Sequence, residues 1–195
     1  NSYFPDVAIN DYKAVWKPEK DSLIINSPKA YSFYNASTKL NGELVVRNSG
    51  LFGNGHLGRN DSEADSKAIK FNKTGFLASG SSFIIKADVK EVKPVLESQN
   101  VEINFNIAKQ IADISPKNES FNDSISSSIS FPNAAYKTTI DNAQWNIQKK
   151  TISMEGNVEN SLFTSTSHSQ YGLAFKGASA LYDISANTLN INGVP

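Results

Sequence analysis

Apolar and polar side chains alternate along most of this chain. Val101-x-Ile103-x-Phe105-x-Ile107 keeps strict period two, with Glu102, Asn104 and Asn106 in between. A strand presents one face every second residue, so the four apolar side chains point one way and the polar ones the other. Shorter apolar runs recur at Leu23-Ile24-Ile25, Tyr31-x-Phe33, Leu44-Val45-Val46 and Phe83-Ile84-Ile85. Turn formers separate them, as at Asn26-Ser27-Pro28, Asn35-Ala36-Ser37 and Asn41-Gly42. This texture predicts an all-β, antiparallel fold with little helix. A helical turn or two fits only residues 107–112, a stretch too short to be stable alone. Two segments read as loops. Residues 53–62 are rich in Gly and Asn, which tolerate left-handed backbone. Residues 115–128 are nearly low complexity in Ser, and a seam between two β halves would fall near 113–130.

One pattern occurs three times. Ala14-x-Trp16 leads to Leu23-x-Ile25, Ala143-x-Trp145 to Ile152-x-Met154, and Ala180-x-Tyr182 to Leu189-x-Ile191. In each copy the first aliphatic follows the ring by seven, and Ser22, Thr151 or Thr188 stands just before it. The later copies close on Gly156 and Gly193. Each unit reads as a β-hairpin, in which the Ala, the ring and the two aliphatics share one face. Repetition at this length speaks for a stack of like units. The rings are then internal packing; the alternative is a row of surface rings that stack on sugars.

The run Ala180-Leu181-Tyr182-Asp183, through Leu189-Asn190-Ile191, to Asn192-Gly193-Val194 resembles the repeat of the OstA-like, lipopolysaccharide-transport type of periplasmic β-jellyroll. Trp145 through Glu155-Gly156-Asn157-Val158 is a second match and keeps the Gly-Asn-Val. In the Trp16 copy Ser27 stands where the glycine belongs. The resemblance is best over residues 141–195. It implies an open β-jellyroll or β-taco, a solenoid-like stack of hairpins, exported to the periplasm or surface of a Gram-negative bacterium. It also suggests a lipid or glycolipid carrier.

Composition narrows the function classes. The chain has 195 residues, enough for one core without metal or disulfides, and is read as a single module. Its start at Asn1 and its end at Pro195, directly after a repeat unit, lead us to expect a piece of a longer, processed protein. Nineteen basic and nineteen acidic residues are mixed along it, leaving no basic block to grip nucleic acid. No apolar run is long enough to span a bilayer as a helix. Asn (22) and Ser (26) make up a quarter of the chain, which suits turns and solvated strand faces.

Chemistry is hard to find. Without cysteine, and with His56 and His168 the only histidines, a structural zinc site has too few ligands. Asp61-x-Glu63-x-Asp65 has the alternating oxygens of a calcium loop, but Ser66 and Asn72 stand where Gly and Glu are required. Ser165-Thr166-Ser167-His168-Ser169 puts hydroxyls beside an imidazole, yet neighbours on a strand face opposite ways. No catalytic, metal-binding or cofactor-binding residue is assigned, and no cofactor is expected. The leading expectation is a non-enzymatic envelope module serving as scaffold or interaction surface. Its alternatives are a lipid or glycolipid carrier and a carbohydrate-binding module. Edge-to-edge self-association is a further possibility, and any binding function is expected on residues 53–62 or 115–130.

Overall fold

The computed structural model describes residues 4–87, 93–117, 128–170 and 172–194. They form one antiparallel sheet of eighteen strands. The N-terminal strands are β1 (Val7–Ala8), β2 (Lys13–Lys17), β3 (Ser22–Asn26) and β4 (Tyr31–Phe33). Five long strands follow: β5 (Thr38–Arg47), β6 (Gly50–Gly58), β7 (Ser62–Asn72), β8 (Gly75–Ile85) and β9 (Leu96–Asn106). Shorter ones complete the chain: β10 (Ile111–Pro116), β11 (Ser128–Phe131), β12 (Tyr136–Thr138), β13 (Ala143–Asn146), β14 (Thr151–Glu155), β15 (Leu162–Ser165), β16 (Ala174–Lys176), β17 (Ser179–Asp183) and β18 (Thr188–Asn192). The only helical pieces among the described residues are single 3₁₀ turns at Pro18–Lys20 and His168–Gln170.

The long strands change partners midway, and this folds the sheet in two. The first half of β5 pairs with β4, while Glu43 to Arg47 pair with β3. At the other side, Glu97 to Gln99 of β9 pair with β11, and Val101 to Asn106 pair with β10. One wall therefore runs β2–β3–β5–β6–β7–β8–β9–β10–β13–β14–β17–β18. The other runs β1–β4, through the opposite halves of β5 to β9, to β11–β12–β15–β16. The crease lies where the register slips, between Gly53 and Gly55 and again around Ser81. Here Gly55, Gly80 and Asn100 take positive φ (+128°, +58° and +51°). A Cβ on Gly42 would stand 2.0 Å from the Asn54 carbonyl oxygen, so the backbones at the crease meet only because that side chain is missing. Carbonyls displaced from the ladder find new donors: Ser66 donates to Ser79 (2.8 Å) and Ser81 to Val101 (3.2 Å).

Across the first wall the register lines up two inward rows. One runs Ala14, Ile25, Leu44, Gly53, Ile69, Ala78, Ile103, Ile114, Ala143, Met154, Ala180, Ile191; its neighbour runs Trp16, Leu23, Val46, Leu51, Phe71, Phe76, Phe105, Ala112, Trp145, Ile152, Tyr182, Leu189. The first row lies nearer the crease, where the walls converge, and the second nearer the free lips. The Ala-x-ring spacing follows from this wedge: a small side chain where space is narrow, a ring where it widens. The rings bridge to the second wall. Phe71 stacks on Phe33 (4.2 Å), Tyr182 on Phe131 (5.3 Å), and Trp145 packs against Phe83 (6.3 Å).

The three repeats are hairpins as expected, with Trp16 opposite Leu23, Trp145 opposite Ile152 and Tyr182 opposite Leu189. β9–β10 is a fourth copy that the motif conceals. Phe105 holds the ring position, Ile103 replaces the alanine, and Ala112 sits where the aliphatic belongs. The tips confirm the kinship. Asn106, Asn146 and Asp183 each accept an N–H three residues on (2.9 Å), and Gln110, Lys150 and Asn187 each close the turn with positive φ. Residues 107–112, the helical candidate, form no helix: 107–110 are one of these tips and Ile111 and Ala112 open β10. Residues 53–62 depart from the expected loop: β6 occupies 50–58 and β7 begins at Ser62, because the glycines serve a crease inside a strand. Of the Ser-rich segment, 118–127 lie outside the described residues; β10 and β11 on either side both pair with β9.

The rows predict unequal costs for equivalent residues. Trp145, 3 % exposed, should lose about 3–5 kcal/mol on Trp145→Ala. Trp16, 55 % exposed at the end of the same row, should lose less than about 1 kcal/mol. Urea denaturation of both variants checks this.

Candidate functional site

Among the described residues each end of the stack has strands paired on one side only: β1 with β4 and β2 with β3 at one end, β16 with β15 and β18 with β17 at the other. At the N-terminal end the walls do not close on one another. β2 and β3 extend the first wall, while the second wall offers only β4 and the two-residue β1. Between them opens a cavity of about 670 Å³. Its lining is apolar: Leu23, Ile25, Leu44, Val46 and Leu51 from the first wall face Val7 and Tyr31 from the second. Phe4, Ile9 and Tyr12 stand at the rim, with Asp6 and Asn10 as polar neighbours. Phe4 (36 %) and Tyr12 (59 %) are exposed, like Trp16. In the interior beyond the mouth, Phe71, Phe76, Ile103 and Phe105 are almost fully buried, so the void stops where the core begins.

The free lips opposite the crease are fastened at separate points. Tyr34 of the second wall's lip donates its hydroxyl to the Asn72 carbonyl of the first (2.9 Å), with the Gly75 carbonyl also in reach. Arg59 lays its guanidinium over the Phe105 ring (4.5 Å), reaches Thr38 (3.1 Å) and is held by Asp61 (2.9 and 3.1 Å). The hairpin tips of the first wall are chained together, Ile107 N–H to Thr74, Ile147 to Gln110 and Ile184 to Lys150, at 2.8–3.0 Å. Farther along, a hollow of about 270 Å³ is lined by Trp145, Ile85, Ile147 and Ile184. The buried Trp145 Nε1 has no acceptor among the described residues.

The sequence candidates for chemistry are dispersed. Asp61, just before β7, and Glu63 and Asp65, on one face of it, each have a separate partner: Arg59, Lys86 (2.7 Å) and the His56 imidazole (2.9 Å). No group of three potential metal ligands occurs among the described residues. His56 Nδ1 meets Asp65, and Ser82 is opposite Asp65 on the far strand. The carboxylate thus separates hydroxyl from imidazole, whereas a nucleophilic triad needs the imidazole between them. Ser165 is buried and gives its hydroxyl to Gln170 (2.5 Å), the last residue of the 3₁₀ turn that His168 begins, and no hydrogen bond joins it to the imidazole among the described residues. Trp145 and Tyr182 lie in the core and offer no face to a sugar. The mouth itself was missed in the alternation of Leu23, Ile25, Leu44 and Val46, which says which side chains face inward but not that nothing covers them. No helix among the described residues is long and apolar enough to cross a membrane. Comparison with protein-family models, curated proteins and solved structures found no match.

Three phenols bind the two walls to one another, and burial raises the pKa of each: Tyr34, Tyr182 and Tyr31, the last also opposed by the Glu43 charge. Below about pH 10 each is protonated whether the chain is folded or not, so stability is unaffected. Above it the unfolded chain loses these protons first, and stability falls as pH rises further. Tyr34→Phe should flatten that alkaline decline while costing about 1 kcal/mol at neutral pH. Thermal melts on both sides of pH 10 measure it.

Proposed function

We propose that this chain is a non-enzymatic stacking module whose N-terminal edge receives a β-strand from a partner. The observation that carries the reading is Trp16. It occupies the row position of Trp145 and Tyr182, yet is 55 % exposed where they are 3 % and 0 %. A strand added to β2 would hydrogen-bond the edge opposite β3 and cover Ala14 and Trp16, as β10 flanks Ala143 and Trp145 of β13. The resemblance of residues 141–195 to OstA-like repeats supports a place in the Gram-negative envelope, and β18, paired only with β17 among the described residues, supplies a strand for a second copy.

A second reading rests on the mouth. About 670 Å³ of apolar lining with aromatic residues at the rim suits the acyl chain of an amphiphile, the carrier role that the resemblance suggests. The two readings respond to different residues. If a strand partner is added, Trp16→Ala should weaken association by about tenfold or more, read by analytical ultracentrifugation of the chain against itself. Val46→Lys, deep in the mouth, should instead abolish copurifying lipid in native mass spectra. A chain that stays monomeric at all concentrations and carries no lipid overturns both.

A further inference from the structure

The outward face of the first wall changes character halfway along. One row of cross-strand neighbours runs Val15, Ile24, Val45, Phe52, Lys70, Leu77, then Asn104, Asp113, Gln144, Ser153. Its C-terminal stretch is polar, as the solvated side of a sheet should be. Its N-terminal stretch is apolar apart from Lys70 and faces away from the interior: Leu77 is 39 % exposed, Val15, Ile24 and Phe52 are half-buried, and Val45 between them is 9 % exposed. The hydrophobic core does not account for these residues. A contiguous exposed apolar stripe marks an interaction surface more often than chance.

Cations frame the stripe. Lys13 and Lys17 lie on either side of Val15, and Arg47, Lys67 and Lys70 surround Phe52. The ring draws two of them together, with the Arg47 guanidinium 5.4 Å and the Lys70 ammonium 5.9 Å from its centroid. No carboxylate pairs with these five among the described residues. Over β2 to β9 this face carries two acids, Glu43 and Glu102, which accept hydrogen bonds from Asn54 (3.2 Å) and Ser79 (3.2 Å); Asp113, Glu155 and Asp183 lie on its polar C-terminal stretch. The outer face of the second wall has no such bias. Along it Lys39 and Lys137 are balanced by Glu63 and Glu97, and His56 meets Asp65.

We propose that this face docks peripherally on an anionic lipid bilayer, with Phe52 and Leu77 at the headgroup boundary and the surrounding Lys and Arg against lipid phosphates. Charge complementarity singles out this occupant. A flat apolar stripe bordered by unpaired cations matches a surface that is apolar below and negative above, and long Lys and Arg stems can lie along apolar surface while their charges reach headgroups. The proposal is independent of strand addition at β2, because its central residues sit on β5 to β8.

Vesicle cosedimentation of the full chain tests it, using phosphatidylcholine alone and phosphatidylcholine mixed with phosphatidylglycerol. Binding is expected only to the mixed vesicles and should fall steeply with salt. The double variant Arg47→Glu/Lys70→Glu should bind about tenfold more weakly or worse, since each basic residue near such a surface contributes about a fivefold factor. Leu77→Ser should weaken binding severalfold with the salt dependence unchanged. Lys39→Glu/Lys137→Glu, on the other wall, should bind like the unaltered chain, and matched melting temperatures show that all variants are folded. Equal pelleting with both vesicle types, no pelleting at low salt, or equal loss in the two double variants overturns the proposal. So does a soluble protein or glycan that binds this face while vesicles do not.

Discussion

The two walls of this molecule are halves of the same strands, so they cannot be parallel. They meet at a crease and diverge toward the lips, and the wedge between them dictates side-chain size across the interior. Gly53 and Ala78 face the narrow part and Phe71, Phe76 and Phe105 the wide part. The hairpins added beyond the creased strands inherit the wedge, which is why Ala143 and Ala180 precede Trp145 and Tyr182 by two. The aromatic row then supplies most of the contact between the walls, through Phe33 on Phe71 and Phe131 on Tyr182. Rings stacked at these distances add to the area they bury.

Much of this was written in the alternation. Period two marks several of the strands, and the spacing of ring and aliphatic marks three hairpins whose Ala, ring and aliphatics share one face. The fourth hairpin escaped because Phe105 and Ala112 exchange large and small across the strand pair. That preserves the volume of the rung while breaking the motif. The glycines of residues 53–58 misled for a related reason. A glycine-rich run commonly means a loop, but Gly53 and Gly55 flank a register slip in β6, and Gly42 lies against Asn54 across the crease. Composition cannot distinguish a backbone that leaves the sheet from one that bends within it.

The candidate site was less legible than the fold. Alternation specifies that Leu23, Ile25, Leu44 and Val46 face inward; it is silent on whether a second wall stands opposite. That depends on β1 being two residues long while β2 and β3 are five each, a difference of length that no local pattern carries. The outward stripe from Val15 to Leu77 was similarly hidden. In Leu44-Val45-Val46 three apolar residues in succession look like one buried strand, although Val45 points away from the other two.

The order in which the strands pair has a kinetic meaning. β5 to β9 form a meander of successive neighbours, so their contacts close short loops and are cheap to form. The outer rungs are different: β10 must find β13, β14 must find β17 and β9 must find β11, each across an intervening hairpin or loop. The creased centre is therefore the natural nucleus, and the rungs condense on it outward. Cooperativity should fade in the same direction, as in any structure where a unit touches only its neighbours. The two ends of the stack, whose outermost strands pair on one side only among the described residues, should thus also be the last parts to become ordered.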